Sequence, residues 1–184
     1  MTSAKKLTTS AMMMALGLVL PFLTGQIPQI GSMLLPLHLP VLLCGLICGW
    51  GYGAAVGFIL PLLRYVLFGM PPIFPTGLAM AFEMAAYGAI AGFLYSHSRW
   101  QCLKALYRCL IAAMIGGRLV WGVAQIVLLG LAGKGFTWQM FMAGAFLNAV
   151  PGIILQLVLI PALMVALDKT GVVPFYKTPE NAQA

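Results

Sequence analysis

The chain has 184 residues, of which 62% are hydrophobic and 7% are charged, and its mean hydropathy is +1.01. A soluble domain usually carries roughly a quarter charged residues, and a soluble fold of this size has too little interior to bury so much apolar side chain. The composition therefore excludes a soluble enzyme. The net charge of +7 comes from ten basic residues that form no basic run interleaved with aromatics, which argues against a nucleic-acid partner. The length predicts one membrane domain over residues 1–184.

Long stretches without charge predict membrane-spanning helices. No Asp, Glu, Lys or Arg occurs between Lys6 and Arg64 or between Lys134 and Asp168, and a spanning helix needs about 20 mostly apolar residues. Pro, Gly and charged residues interrupt the apolar runs and mark where helices end. On this division, the chain is predicted to be an all-α integral membrane protein with six transmembrane helices. The predicted spans are residues 8–24, 37–48, 52–68, 76–95, 103–131 and 138–167.

The basic residues predict the orientation of these spans. With six spans, both termini share one side of the membrane with the loop after span four. That side carries seven Lys or Arg residues and the other side carries only Lys134; the seven are Lys5, Lys6, Arg99, Lys104, Arg108, Lys169 and Lys177. The positive-inside rule places both termini in the cytoplasm. The first apolar run lacks a convincing small-x-small cleavage site, which favours a retained span over a signal peptide.

The first two spans carry a pair of small residues and a histidine. Ala11 and Ala15 are one helical turn apart in a Met-rich run, a pattern typical of close helix packing or of an adaptable partner surface. Span two is short and contains Pro40, so we expect it to be tilted or partly re-entrant. His38 lies at its outer end, between Pro36 and Pro40, where contact with a ligand and a helix-end role are both open.

Spans three and four contain ionisable residues, which are costly in a membrane and mark function by default. Arg64 lies near the outer end of span three. Glu83 lies about two turns below the outer end of span four, with Tyr87 one turn deeper. The structural alternative is an Arg64–Glu83 pair that ties the two helices together. Both spans also carry small-xxx-small pairs that predict close helix packing: Gly53 with Gly57, and Gly88 with Gly92.

Spans five and six continue the polar series. Arg118 lies near the middle of span five, and Trp121 and Gln125 lie further out on the same helical face. Asn148 and the deeper Gln156 follow in span six. The structural alternatives are stacking of Arg118 on Trp121 and interhelical hydrogen bonding by the two amides. Most of these groups fall in the outer half of the membrane, and their variety favours a pocket for a small organic ligand.

Motifs of catalysis and metal binding are missing from the sequence. There is no G-x-S-x-G, and Gly133-Lys134-Gly135 lacks the earlier glycine and the Ser/Thr of a P-loop. We expect no metal, no cofactor and no enzymatic activity. If the chain takes part in an ATP-driven process, another protein must hydrolyse the ATP. The four cysteines lack C-x-x-C spacing and are expected to be small packing residues; they are Cys44, Cys48, Cys102 and Cys109.

The chain resembles the substrate-binding S component of energy-coupling factor (ECF) vitamin transporters. Size, six spans and cytoplasmic termini carry the resemblance, together with Ala11-x-x-x-Ala15, which is similar to the family's A-x-x-x-A motif. Two further stretches are similar to members of the family, LLPLHLPVLLCG at residues 34–45 and GFILPLLR at residues 57–64. The resemblance extends over nearly the whole chain.

This resemblance implies a subunit that captures a water-soluble vitamin or precursor outside a prokaryotic cell and docks, through Ala11 and Ala15, on a transmembrane coupling protein that carries two ATPases. The expected ligand residues are Glu83, Tyr87, Arg118, Trp121, Gln125 and Asn148, with Arg64 and His38 as further candidates. One ionisable residue of each sign would suit a heteroaromatic compound such as vitamin B6; a pyrimidine precursor, pantothenate, folate and a queuosine precursor remain open. The alternative is an autonomous proton-coupled carrier in which Glu83 titrates during transport.

Overall fold

The computed structural model describes residues 2–23, 35–98, 102–144 and 149–169, which contain seven α-helices and no strand. The helices are α1 (Ser3–Leu23), α2 (His38–Cys48), α3 (Trp50–Phe68), α4 (Leu78–Ser96), α5 (Leu103–Leu131), α6 (Trp138–Met142) and α7 (Val150–Lys169). A π-helical segment, Ile73–Gly77, leads into α4. The prediction of an all-helical chain is confirmed for these residues.

Helix length and exposure support a membrane protein. Four described stretches are long and apolar enough to span a membrane: Trp50–Phe68, Ile73–Ser96, Leu103–Leu131 and Val150–Lys169. Along α5, four apolar side chains at four-residue intervals are 48–62% exposed, as a lipid-facing stripe requires; they are Ile111, Ile115, Leu119 and Val123. Six complete spans and cytoplasmic termini remain predictions, because α2 has only 11 residues and reaches about half of the hydrocarbon core.

The predicted helix boundaries agree best where the apolar run is uninterrupted. The helix predicted over 103–131 has those bounds in the structure, and α2 begins one residue later than predicted. α1 begins five residues earlier than predicted, at Ser3, because Lys5 and Lys6 are good helix formers that extend the apolar helix. The predicted outer loop at residues 25–32 and the polar tail beyond Lys169 lie outside the described residues.

The sixth span predicted over 138–167 contains two described helices. α6 ends at Met142, and α7 begins at Val150 after a turn at Ala149. Residues 145–148 lie outside the described residues, so one continuous span stays a prediction. Pro151 lies in the first turn of α7, where a missing N–H costs nothing because no intrahelical acceptor is available there. A proline at this position favours the start of a helix over the middle of one.

Two glycines with positive φ define the ends of α3. Gly49, with φ of 99°, is the single residue between α2 and α3. Gly69, with φ of 70°, ends α3, and its N–H donates to the carbonyl of Tyr65. A side chain would be strained in either conformation. Pro71 and Pro72 follow, and neither can donate the hydrogen bond that would continue a helix.

Glycines also allow α2, α3 and α4 to touch backbone to backbone. A Cβ atom on Gly88 of α4 would collide with the backbone of Gly53 on α3, and one on Gly53 would lie 2.5 Å from the Cα of Gly45 on α2. Further along, a Cβ on Gly57 would collide with the carbonyl of Met84, and one on Gly92 would lie 2.6 Å from the carbonyl oxygen of Gly45. The two small-residue pairs predicted for close packing are confirmed as internal contacts.

α2 is the central helix of the described structure. It packs against α1, α3 and α4, and all but two of its 11 residues are buried. Its two cysteines fix it to α1: the thiol of Cys44 donates to the hydroxyl of Ser10 at 3.4 Å, and the thiol of Cys48 donates to the carbonyl of Lys6 at 3.6 Å. All four cysteines are free, and their predicted role as packing residues holds for the three that are buried.

Replacing Gly88 by alanine should destabilise the fold by about 1–3 kcal/mol, because the added methyl group meets the backbone of α3 and no side chain can move aside to accommodate it. The matched control is Gly130→Ala at the end of α5, where an added Cβ meets nothing within 4 Å and should be neutral or slightly stabilising. Thermal unfolding of the two variants in mild detergent measures the difference. Equal melting temperatures would show that the glycine contact can relax.

Candidate functional site

A buried ion pair joins α4 and α5. Nη1 of Arg118 lies 2.8 Å from Oε1 of Glu83, and the two residues are 5% and 2% exposed. Charges in a spanning region are expensive and usually face the bundle interior, paired with one another. The described spans contain two acidic residues: Glu83, which this contact places beside a guanidinium, and Asp168 near the end of α7.

His38 completes the cluster from a third helix. At the start of α2, its Nε2 lies 3.5 Å from Oε1 of Glu83, and its ring meets that of Tyr87 edge-on with 4.9 Å between centroids. Tyr87 is four residues after Glu83, so both side chains lie on the same face of α4, and its hydroxyl interacts electrostatically with Glu83 and Arg118. Four of the predicted ligand residues thus form one polar cluster, which we call the Glu83 cluster: His38, Glu83, Tyr87 and Arg118.

A glycine positions the tyrosine in this cluster. A Cβ atom on Gly117 would collide with the ring of Tyr87. The missing side chain therefore lets the ring lie directly on the backbone of α5, one residue before Arg118. Because Tyr87 is 1% exposed, this contact fixes one wall of the cluster. In the sequence, the Gly116-Gly117 pair is the only feature that indicates this contact between Tyr87 and α5.

Several polar atoms of the Glu83 cluster are buried and have no hydrogen-bond partner in the part of the chain that the structure describes. They are Nδ1 of His38 and the Nε and Nη2 atoms of Arg118. A buried polar group without a partner costs about 1–3 kcal/mol, and such groups in native proteins call for a specific explanation. These atoms give the cluster unused hydrogen-bonding capacity at its centre.

Trp121 belongs to an aromatic group in the C-terminal half of α5 and the segment that follows. Its ring centroid lies 5.9 Å from that of Phe136 and 6.2 Å from that of Phe141, which in turn lies 5.4 Å from Trp138. Trp121 therefore packs against the α5–α6 connection and α6, whereas Arg118 pairs with Glu83. Sequence reasoning missed the two ring partners of Trp121, because their spacing gives no signal that they meet it.

The two glutamines fall in different places. Gln125 is buried on α5, 7% exposed, two turns beyond Arg118. Gln156 is 1% exposed on α7, and its amide nitrogen donates to the carbonyl of Leu35 at 3.4 Å, next to the start of α2. Gln156 therefore bonds the segment that precedes α2 and not another helix, so its predicted role in interhelical hydrogen bonding stays a prediction. Asn148 lies outside the described residues, so its role stays a prediction.

Arg64 does not join the Glu83 cluster, and the Arg64–Glu83 pair considered from the sequence is wrong. Nη1 of Arg64 donates to the carbonyl of Leu18 at 3.4 Å, and its guanidinium lies 6.0 Å and 5.6 Å from the ring centroids of Phe22 and Phe68. These contacts attach α3 to α1. The apolar rings and the carbonyl partner give Arg64 a structural setting.

The family of the chain follows from a match to the family model described as ECF transporter, substrate-specific component, which covers residues 5–164. The chain belongs to this family. The matched range includes the whole Glu83 cluster as well as α1. A comparison with curated proteins returns no significant match, and a comparison with solved structures returns none either.

As an ECF substrate-specific component, the protein is a binding subunit of a transport system and not an enzyme. The described residues contain no group of three or more His, Cys, Asp or Glu side chains able to hold a metal ion. Ala11 and Ala15 are exposed on α1, on a helix whose other contacts are with α2 and α3. Their side chains are therefore free of packing inside the described structure.

Breaking the buried ion pair from one side should strongly destabilise this S component. Glu83→Met leaves the Arg118 charge buried and unpaired, which costs about 3–5 kcal/mol, whereas Glu83→Met combined with Arg118→Met replaces the pair by apolar groups and should recover most of the loss. Thermal unfolding in detergent compares the single variant, the double variant and the parent. A double variant as unstable as the single one would show that the pair is not the source of the effect.

Proposed function

We propose that this S component captures a small water-soluble vitamin or vitamin precursor in the Glu83 cluster. The observation that carries the proposal is a buried set of ionisable groups from three helices in which Arg118 and His38 keep unpartnered polar atoms. A ligand site is mostly apolar with a few convergent polar groups. Gln125 and Trp121, further out on α5, would line the same side of the site.

The orientation and partners of the subunit belong to the proposal. Apart from Arg64 and Arg118, seven of the eight basic residues lie at one predicted side of the membrane, which supports six spans with both termini in the cytoplasm of a prokaryotic cell. The ligand would then enter from outside. Release into the cell would require docking on a transmembrane coupling protein with two ATPases, and family membership supports this arrangement.

A heteroaromatic compound of the vitamin B6 type is a first candidate for the ligand. Glu83 would accept a hydrogen bond from a ring N–H or an amine, Arg118 would bind a hydroxyl or carboxylate, and the Tyr87 ring would pack beside the ligand. The other candidates from the sequence are a pyrimidine precursor, pantothenate, folate and a queuosine precursor.

The proposed capture function predicts that the chain purified in mild detergent carries, or binds on titration, one small molecule per chain. Mass spectrometry identifies a compound that purifies with the protein, and calorimetry measures the stoichiometry. Uptake into cells should require the coupling protein and the ATPases. Uptake by the chain alone, driven by a proton gradient, would contradict the proposal and support the autonomous carrier.

The proposed docking role of α1 predicts that Ala11→Leu and Ala15→Leu weaken assembly with co-expressed coupling protein and ATPases while ligand binding is retained. The physical reason is that a bulky side chain separates helices that approach through small residues. Ala55→Leu, at an exposed position of α3, is the matched control. Co-purification measures assembly. If the α1 variants lost assembly and ligand binding together, misfolding would be the cause; if Ala55→Leu weakened assembly equally, the effect would not be specific to α1.

A further inference from the structure

One edge of the Arg118 guanidinium is unoccupied in the core of the Glu83 cluster. Nη1, at the tip, contacts Oε1 of Glu83, whereas Nε and Nη2 are buried and have no hydrogen-bond partner among the described residues. Nε and Nη2 form one side of the planar group, so their N–H bonds point in nearly the same direction. Arg118 is 5% exposed, so bulk water does not satisfy this edge.

The shape of that edge selects a particular chemical group. Two parallel N–H donors at fixed separation match the two oxygens of a carboxylate, and such two-point contacts are among the strongest hydrogen bonds in proteins. A hydroxyl or a single carbonyl would satisfy only one of the two donors. From this geometry we infer that the ligand of this S component is a small organic carboxylate, bound through the Nε–Nη2 edge of Arg118. The inference rests on the proposed capture function and specifies the substrate class.

Matched pairs of compounds that differ only in the carboxylate test the inference. The full chain in detergent is titrated by calorimetry with nicotinate and nicotinamide, pantothenate and pantothenol, biotin and biotinamide, and 4-pyridoxate and pyridoxine. For at least one pair, the acid should bind roughly 10- to 100-fold more tightly than its neutral partner.

Arg118→Lys separates the two-point contact from charge alone. Lysine keeps the positive charge beside Glu83 but presents no planar edge, so the variant should lose most of the preference for the acid and change the affinity of the neutral partner little. Arg108→Lys is the matched control, because Arg108 is an exposed residue on the same helix. Its acid preference should equal that of the parent.

Three outcomes would overturn this inference, and they are distinguishable. Equal binding of acid and neutral partner, or an Arg118→Lys variant that keeps the preference, would mean that the Arg118 edge does not bind a ligand carboxylate. A purified ligand without a carboxylate, or tight binding of pyridoxine alone, refutes the carboxylate while the capture function stands. A chain that carries no compound and binds none of the eight refutes the inference and the capture function together.

Discussion

The arrangement of this S component depends on the contact between the backbones of α2, α3 and α4. Glycines at the crossing points, Gly45, Gly53 and Gly88, remove the side chains that would otherwise hold the helices apart. In a membrane, the hydrophobic effect does not drive helices together, so close packing must supply the association energy. The same contact brings the start of α2 to α4, and His38 therefore reaches Glu83 and Tyr87.

The Glu83 cluster combines buried charges, which are costly, with polar atoms whose hydrogen-bonding capacity is not fully used. Burying Glu83 is tolerable because Arg118 lies 2.8 Å away, but a pair of this kind is weak evidence for stability, since apolar residues fill such a space at least as well. Arg118 and His38 also keep polar atoms without protein partners. A purely structural pair would gain from satisfying these atoms within the protein, whereas a binding site keeps them for its ligand. This difference is the physical reason for assigning the cluster to substrate capture.

The proposed ligand-binding and docking roles fall on separate parts of the molecule. Ala11 and Ala15 lie exposed on α1, which is attached to the bundle through Ser10, Lys6 and the carbonyl of Leu18. The Glu83 cluster lies on α2, α4 and α5. Both α2 and α3 contact α1 and α4, and α2 also carries His38 of the cluster, so these two helices connect the two regions.

The sequence alone determined the membrane class, the approximate positions of most helices, and most of the buried polar residues. Length, hydropathy and glycine spacing are local properties, so they predicted α5 over 103–131 and the close packing at Gly53 and Gly88. The partners of each charge were decided by the tertiary structure. Arg64 and Arg118 are both plausible partners of Glu83 in the sequence, and only the packing of α4 against α5 joins Glu83 to Arg118 while Arg64 faces α1. Pairing between residues far apart in the chain depends on how helices cross, and no local pattern records that geometry.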